Sequence, residues 1–485
     1  MKKIKKIVSL LLVMAMMFAM TTTAFATEAN LSGHTYKAYQ IFSGTQAEGS
    51  AELGQIVWGR GVNEENLLAE LKEKGTAYDD CSTAASVAEV LAGFGEDSDA
   101  ARAFAKVAYE NIVSSEGIAV ENGKTDLAAG YYLVVDTTAG SVDTYNLALL
   151  QLTNKGTFEI KNKTSVPTMD KKVKDTNDTT EETTNWQDSA DYDIGDAVPF
   201  KLTATLGTNL KYFDTYKVVF HDTLSEGLTY NNDAKFYIDG TEIKSGFEPS
   251  TTNGLTFTCD DVKVLGAKDN SIITVEYTAT LNEKAVIGSA GNPNTAYLEY
   301  SNNPNVSGGG DKHPTGNTPE DKVIVFTYKV VVDKYTKDKD GKEISLKGAG
   351  FTLSKKNSEG VYVPVGEEVK GTDLTRFVWE GLDDGDYKLE ETTVPLGYNK
   401  AADVTFTIFA EHDTNSDNPQ LTTLSAGTLV TGEVSTGTLY TKVENNKGAI
   451  LPSTGGIGTT VFYVAGIVMM FGAAVSIYSR KREEF

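Results

Sequence analysis

The sequence predicts a mainly β protein: tandem immunoglobulin-like β-sandwiches preceded by an α+β amino-terminal domain. Three observations lead there. Helical periodicity is confined to residues 63–112. From Thr164 to Lys447, short runs of β-branched and aromatic residues recur between Gly, Asn and Asp turns, the pattern of a sandwich rather than of helices. The chain between its two terminal signals is roughly 420 residues, which at ~100–200 residues per domain suggests three domains.

The first domain is expected over residues 27–163. Tyr36–Phe42 and Tyr131–Asp136 read as strands. Between them Asn63-Glu64-Glu65 is a helix start, Leu67, Leu68 and Leu71 share one face, and Gly75 is placed to end the helix. A second helix is expected over Ala100–Ile112, with Phe104, Val107 and Ala108 on one side. The second domain, 164–328, has strands at Val198–Leu206, Tyr216–His221, Ile272–Leu281 and Ala296–Tyr300, with Ser307–Pro319 as a long loop. The third, 329–447, has strands at Lys329–Tyr335, Gly350–Ser354, Tyr387–Glu391, Val404–Phe409 and Gly437–Val443.

Both ends carry export chemistry. Lys2, Lys3, Lys5 and Lys6 precede an apolar stretch, Ile7–Met20, and Ala24-Phe25-Ala26 supplies a small-x-small cleavage site, so residues 1–26 read as a signal peptide. At the other end, over 448–485, Leu451-Pro452-Ser453-Thr454-Gly455 is followed by an apolar run, Ile457–Tyr478, and by Arg480, Lys481 and Arg482. That run matches the ~20 residues of a spanning helix, and the basic cluster stops transfer on the cytoplasmic side. Everything before it is therefore extracellular.

Acidic residues outnumber basic ones, 67 to 44, giving a formal net charge of −23. Such a surface repels nucleic acid and anionic membranes, which excludes both as partners. Only Cys81 and Cys259 are present in an exported chain of this size, and both are expected to be free and buried. Four histidines, His34, His221, His313 and His412, lack metal-ligand spacing, and there is no glycine-rich phosphate loop or EF-hand pattern. No enzyme site, cofactor or metal site is assigned.

The order of pentapeptide, span and basic tail resembles the cell-wall sorting signal of Gram-positive surface proteins. In that family a sortase thiol attacks the Thr-Gly bond, here Thr454-Gly455, and transfers the Thr carboxyl to an amine. Gly33-His34-Thr35-Tyr36 through Ile41-Phe42-Ser43-Gly44 resembles the amino-terminal domain of pilus backbone subunits. Tyr387-Lys388-Leu389-Glu390-Glu391-Thr392, ahead of Pro395-Leu396-Gly397-Tyr398, resembles the signature of Cna B-type domains, with Val394 in place of the usual Ala.

Strand alternation puts Glu391 on the face of Tyr387 and Leu389, Lys334 on the face of Val330 and Val332, and Asn445 in phase with Val443. An inward lysine among valines is costly unless neutralised or bonded. The resemblance implies a spontaneous isopeptide bond from Lys334 to Asn445 with Glu391 as catalytic acid; Asn446 is the second choice. The chemistry is legible: burial makes the amine a neutral nucleophile, a protonated acid polarises the amide carbonyl and shuttles protons, and ammonia leaves.

The second domain offers a parallel set. Pro167-Thr168-Met169-Asp170-Lys171-Lys172-Val173 resembles the first strand of the isopeptide-forming fimbrial domain, and Phe220-His221-Asp222-Thr223-Leu224 resembles its acid-bearing strand. Lys171 shares a face with Met169 and Val173. The implied bond runs from Lys171 to Asn294, matched by an Asn-x-Ala pattern, with Asp222 as the acid; Asn302 shares the same face and stays as the alternative.

Backbone pilins also offer a lysine between their first two domains, and the string Phe158-Glu159-Ile160-Lys161-Asn162-Lys163 keeps Lys-Asn without the preceding Tyr-Pro. Lys161 is the implied linkage residue and Lys163 its alternative. The resemblance thus implies a major pilin. Its partners would be a pilin sortase, a housekeeping sortase, neighbouring copies of itself, peptidoglycan, minor pilins and host ligands. The rival reading is a monomeric wall-anchored adhesin that binds host matrix or glycan.

Overall fold

The structure is a computed structural model and describes residues 34–46, 52–95, 98–120, 124–138, 147–152, 156–159, 165–305, 314–427, 430–447 and 463–473. The signal peptide, Lys161, Lys163 and Leu451–Gly455 lie outside the described residues.

The first region packs three helices on a sheet. Tyr36–Gln46 is its organising strand, paired antiparallel with Leu53–Trp58 on one side and Gly130–Asp136 on the other. The helix Glu64–Lys74 starts where Asn63 Oδ1 accepts the Asn66 amide at 3.1 Å, and it buries Leu67 and Leu71. Asp99–Glu110 buries Phe104, Ala105, Val107 and Ala108 against the sheet. A third helix, Ala84–Ala92, was not expected from periodicity. It is short and alanine-rich, and its start is a capping box between Thr83 and Ser86.

The second region is a two-sheet sandwich. One sheet carries Thr168–Val173, Ala197–Thr205 and Ile272–Leu281; the facing sheet carries Val218–Leu224, Asn292–Ser301 and Asp321–Phe326. Burial along Ile272–Leu281 alternates almost without a break, so each inward residue meets the opposite sheet across a single core. The Ser307–Pro319 segment is not loop throughout: Thr315–Asn317 forms a short strand against Glu299–Ser301. Its carbonyl and amide groups bond to the end of a long neighbour, which composition does not reveal.

The third region is a smaller sandwich. Its first strand, Tyr328–Lys337, pairs in parallel with its last, Thr438–Glu444. The facing sheet is built on Gly350–Lys356, Gly385–Thr393 and Val404–His412.

One strand belongs to both cores. In Asp321–Phe326, Val323 and Val325 point into the second core while Ile324 and Phe326 point into the third. Only Thr327, fully buried, separates it from Tyr328–Lys337. A strand whose two faces feed two cores clamps the sandwiches together.

Cys81 and Cys259 are free and buried, each in a different core, which keeps them from pairing. In the carboxy-terminal apolar run, residues 463–473 are helical and their side chains largely exposed. Among the described residues no helix is long and apolar enough to cross a membrane.

Candidate functional site

Two buried clusters, one in each sandwich, gather the residues singled out by strand alternation. In the third domain Lys334 lies on the first strand, Glu391 on Gly385–Thr393 of the facing sheet, and Asn445 just past the last strand. All three are at most 2% exposed. Lys334 Nζ sits 3.2 Å from Glu391 Oε1. Asn445 donates from Nδ2 to Glu391 Oε2 at 3.0 Å and to the Asn399 carbonyl at 2.8 Å. Burial lowers the Lys334 amine below the usual lysine range, against the opposing charge of Glu391.

Asn445 Oδ1 has no hydrogen-bond partner, and Lys334 Nζ and Glu391 Oε1 meet only each other. An orphaned polar atom costs about 1–3 kcal/mol, and here it lies beside a fully buried ion pair, so the pocket is not settled packing. Asn446 is exposed and faces away.

One detail of the expected chemistry changes. The acid was expected on the Asn445 carbonyl, but it meets the amide nitrogen instead, because the Asn399 carbonyl can accept only from Nδ2 and so fixes the amide's orientation. Glu391 therefore bridges the nucleophile and the leaving group, one carboxyl oxygen toward each.

In the second domain Lys171 Nζ is 2.9 and 3.0 Å from the two oxygens of Asp222, both side chains being fully buried. Burial lowers the Lys171 amine, opposed in part by the charge and hydrogen bond of Asp222 and by the charge of Asp321. Lys171 and Asp222 come from opposite sheets, as do Tyr277 and Asn294. Tyr277 stands between acid and amide: its hydroxyl donates to Asp222 Oδ2 at 2.5 Å and accepts from Asn294 Nδ2 at 2.8 Å. Burial, with the adjacent Asp222 charge, raises the Tyr277 phenol well above its ordinary value, so it is a neutral donor. Asn294 Oδ1 is unpartnered.

Register separates the two asparagines. Asp222 pairs with Ala296 and Leu224 with Asn294, so Asn294 is beside the acid, whereas Asn302 is six residues beyond Ala296, about 20 Å along the strand at ~3.3 Å per residue. Sequence reasoning missed Tyr277. The signal was present, since Tyr277 alternates inward with Ile273, Val275 and Ala279, but a core tyrosine is ordinary until its hydroxyl is seen between an acid and an amide.

Comparison with known proteins fits this architecture. Residues 194–304 match the model of a Gram-positive pilin backbone subunit, Cna-B-like domain; 331–418 match a SpaA prealbumin-like fold domain; and 443–484 match an LPXTG cell wall anchor motif. Over these segments the chain is similar to Gram-positive pilus backbone subunits. The chain is 27% identical over 440 residues to a trypsin-resistant surface T6 protein of Streptococcus pyogenes serotype M6, covering 73% of this chain and 79% of that one. Its fold is similar to the solved T6 backbone pilin of serotype M6 Streptococcus pyogenes, a modular three-domain structure, with a TM-score of 0.52 and 18% identity over 86% of this chain and 96% of the other. The match over 443–484 supports a secreted, wall-anchored chain, and the relatives it resembles are surface and backbone pilin proteins.

Proposed function

We propose that this chain is a backbone pilin, polymerised covalently by sortase and braced internally by two Lys-Asn isopeptide bonds. The observation that carries the internal bonds is the buried Lys334–Glu391–Asn445 cluster, in which the acid touches both the amine and the amide nitrogen. Neutral Lys334 Nζ attacks Cγ of Asn445; the C–Nδ2 bond breaks as Nζ–Cγ forms. Glu391 gives its proton to Nδ2 and takes one from Nζ, and ammonia departs. In the second domain Lys171 attacks Asn294, and the proton passes between Asp222 and Nδ2 by way of the Tyr277 hydroxyl.

The mechanical consequence follows from topology. Tyr328–Lys337 and Thr438–Glu444 are parallel neighbours, so pulling on the two ends of the domain shears their ladder. A bond from Lys334 to Asn445 carries that load covalently. In the second domain the bond would join the first strand to Asn292–Ser301 across the two sheets, rather than to the last strand as a simple first-to-last scheme has it.

In the assembly reaction a pilin sortase cleaves between Thr454 and Gly455 and joins the Thr454 carboxyl to Lys161 of the next copy, with Lys163 as the alternative. A housekeeping sortase then fixes the fibre to peptidoglycan. The signal peptide leaves after Ala26, and the Ile457–Tyr478 run holds the precursor at the membrane until cleavage. Denaturing gels and tryptic mass spectrometry of wall extracts test this: a ladder with a Thr454 to Lys161 or Lys163 cross-link is expected. A single monomer band would instead favour the anchored adhesin.

A further inference from the structure

The contact between the second and third sandwiches is crowded with acid, ranging from buried Asp191 and Asp383 to exposed Asp178. Asp175, Asp178, Asp191, Asp193 and Asp196 come from the second; Asp383 and Asp384 come from the turn before Gly385–Thr393 in the third. The cations facing them are Lys355, paired with Asp178, Asp193 and Asp383 at 2.9, 2.7 and 3.3 Å, and His412, held between Asp175 and Asp191 at 3.7 and 3.5 Å. Two positive groups face seven carboxylates, of which Asp191 and Asp383 are buried.

The imbalance concentrates at one point. Carboxylate oxygens of Asp191, Asp383 and Asp384 lie within 4.8 Å of one another. Asp191 Oδ2 is buried and unpartnered. The Tyr328 hydroxyl, on a fully buried side chain, faces the same three acids and makes no hydrogen bond of acceptable geometry.

We propose that Asp191, Asp383 and Asp384, with the Tyr328 hydroxyl, form a calcium site that locks the second sandwich to the third. Hard oxygen donors select a hard divalent cation. Oxygens on opposite sides of a calcium ion, at ~2.3–2.6 Å from it, can stand about 4.6–5.2 Å apart; magnesium at ~2.0–2.1 Å allows only about 4.2 Å. The three carboxylate oxygens, within 4.8 Å of one another, can all reach one calcium ion. Ligands come from both domains, so the ion would rigidify the joint next to the shared strand Asp321–Phe326. This inference does not depend on whether the lysines are cross-linked.

The test is calcium titration of the full chain after treatment with chelator, read by calorimetry and by melting temperature. Wild type is expected to bind calcium with a Kd at or below the roughly 10⁻⁴–10⁻³ M range of extracellular modules, and to melt higher in calcium than in chelator. Asp384→Asn, at a half-buried position, should weaken that binding at least tenfold, and Asp191→Asn should abolish it. Asp178→Asn, outside the proposed ligand set and exposed, should leave the titration unchanged. Should Asp191→Asn fail to fold, Asp384→Asn decides alone. Absence of calcium-dependent heat and melting shift in wild type overturns the proposal, as does an Asp384→Asn chain that binds like wild type.

Discussion

Removing the amide at Asn445 isolates the energetic role of the third-domain cross-link. Asn445→Ala leaves Lys334 and Glu391 facing each other at 3.2 Å, so no buried charge loses its partner. What disappears is a covalent closure of roughly 110 residues, worth about 5 kcal/mol in the chain-entropy treatment of cross-links. For a domain of this size that corresponds to a fall in melting temperature on the order of 15–25 °C for the third-domain transition. Glu391→Ala should be worse, since it prevents the bond and also strands buried Lys334, adding about 3–5 kcal/mol. Scanning calorimetry of the full chain gives the transitions. Intact mass gives the bond count, with about 17 Da missing from wild type for each ammonia lost. A Glu391→Ala chain that still lacks the third-domain ammonia would refute the assigned acid. An Asn445→Ala chain that melts within a degree or two of wild type would refute the bond itself.

Tyr277→Phe should slow bond formation in the second domain while leaving the third untouched, seen by time-resolved mass as a lag in the loss of one of the two ammonias; an unchanged time course would remove Tyr277 from the proton path. Asp222→Asn should yield a chain heavier by one ammonia, after correction for the substitution, and Lys171→Ala should do the same. Bond formation should depend on pH in a fixed direction: burial lowers the Lys171 and Lys334 amines, so their neutral fraction falls about tenfold for each pH unit below those lowered values. Acidified refolding should therefore delay the mass loss, and an uncross-linked domain should gain stability as pH rises from the lowered lysine value toward 10.5, because only the unfolded chain stays charged there. Phe326→Ala should cost roughly 3–5 kcal/mol in the third-domain transition, although the residue sits on a strand of the second-domain sheet; a loss confined to the second-domain transition would contradict the shared-strand description.

Alternation along strands made the inward faces legible. A period of two residues puts Lys334 with Val330 and Val332, and Lys171 with Val173, whatever the strands pair with, and the structure buries both lysines. Capping chemistry likewise located the Glu64–Lys74 helix, while the Ala84–Ala92 helix escaped because alanine gives no amphipathic stripe to read. Alternation could not choose between Asn294 and Asn302, since both lie on one face; the antiparallel register with Val218–Leu224 separates them by most of a strand.

The amino-acid order alone carried what is local: export and anchoring signals, strand faces, turns, and the identity of the buried lysines and acids. Tertiary structure decided what depends on distant segments meeting. It oriented the Asn445 amide through the Asn399 carbonyl, inserted Tyr277 between Asp222 and Asn294, and gathered Asp191, Asp383, Asp384 and Tyr328 from two domains. Side-chain direction follows from backbone geometry within a few residues, whereas cross-sheet and cross-domain neighbours are set by register and packing, which no single segment encodes.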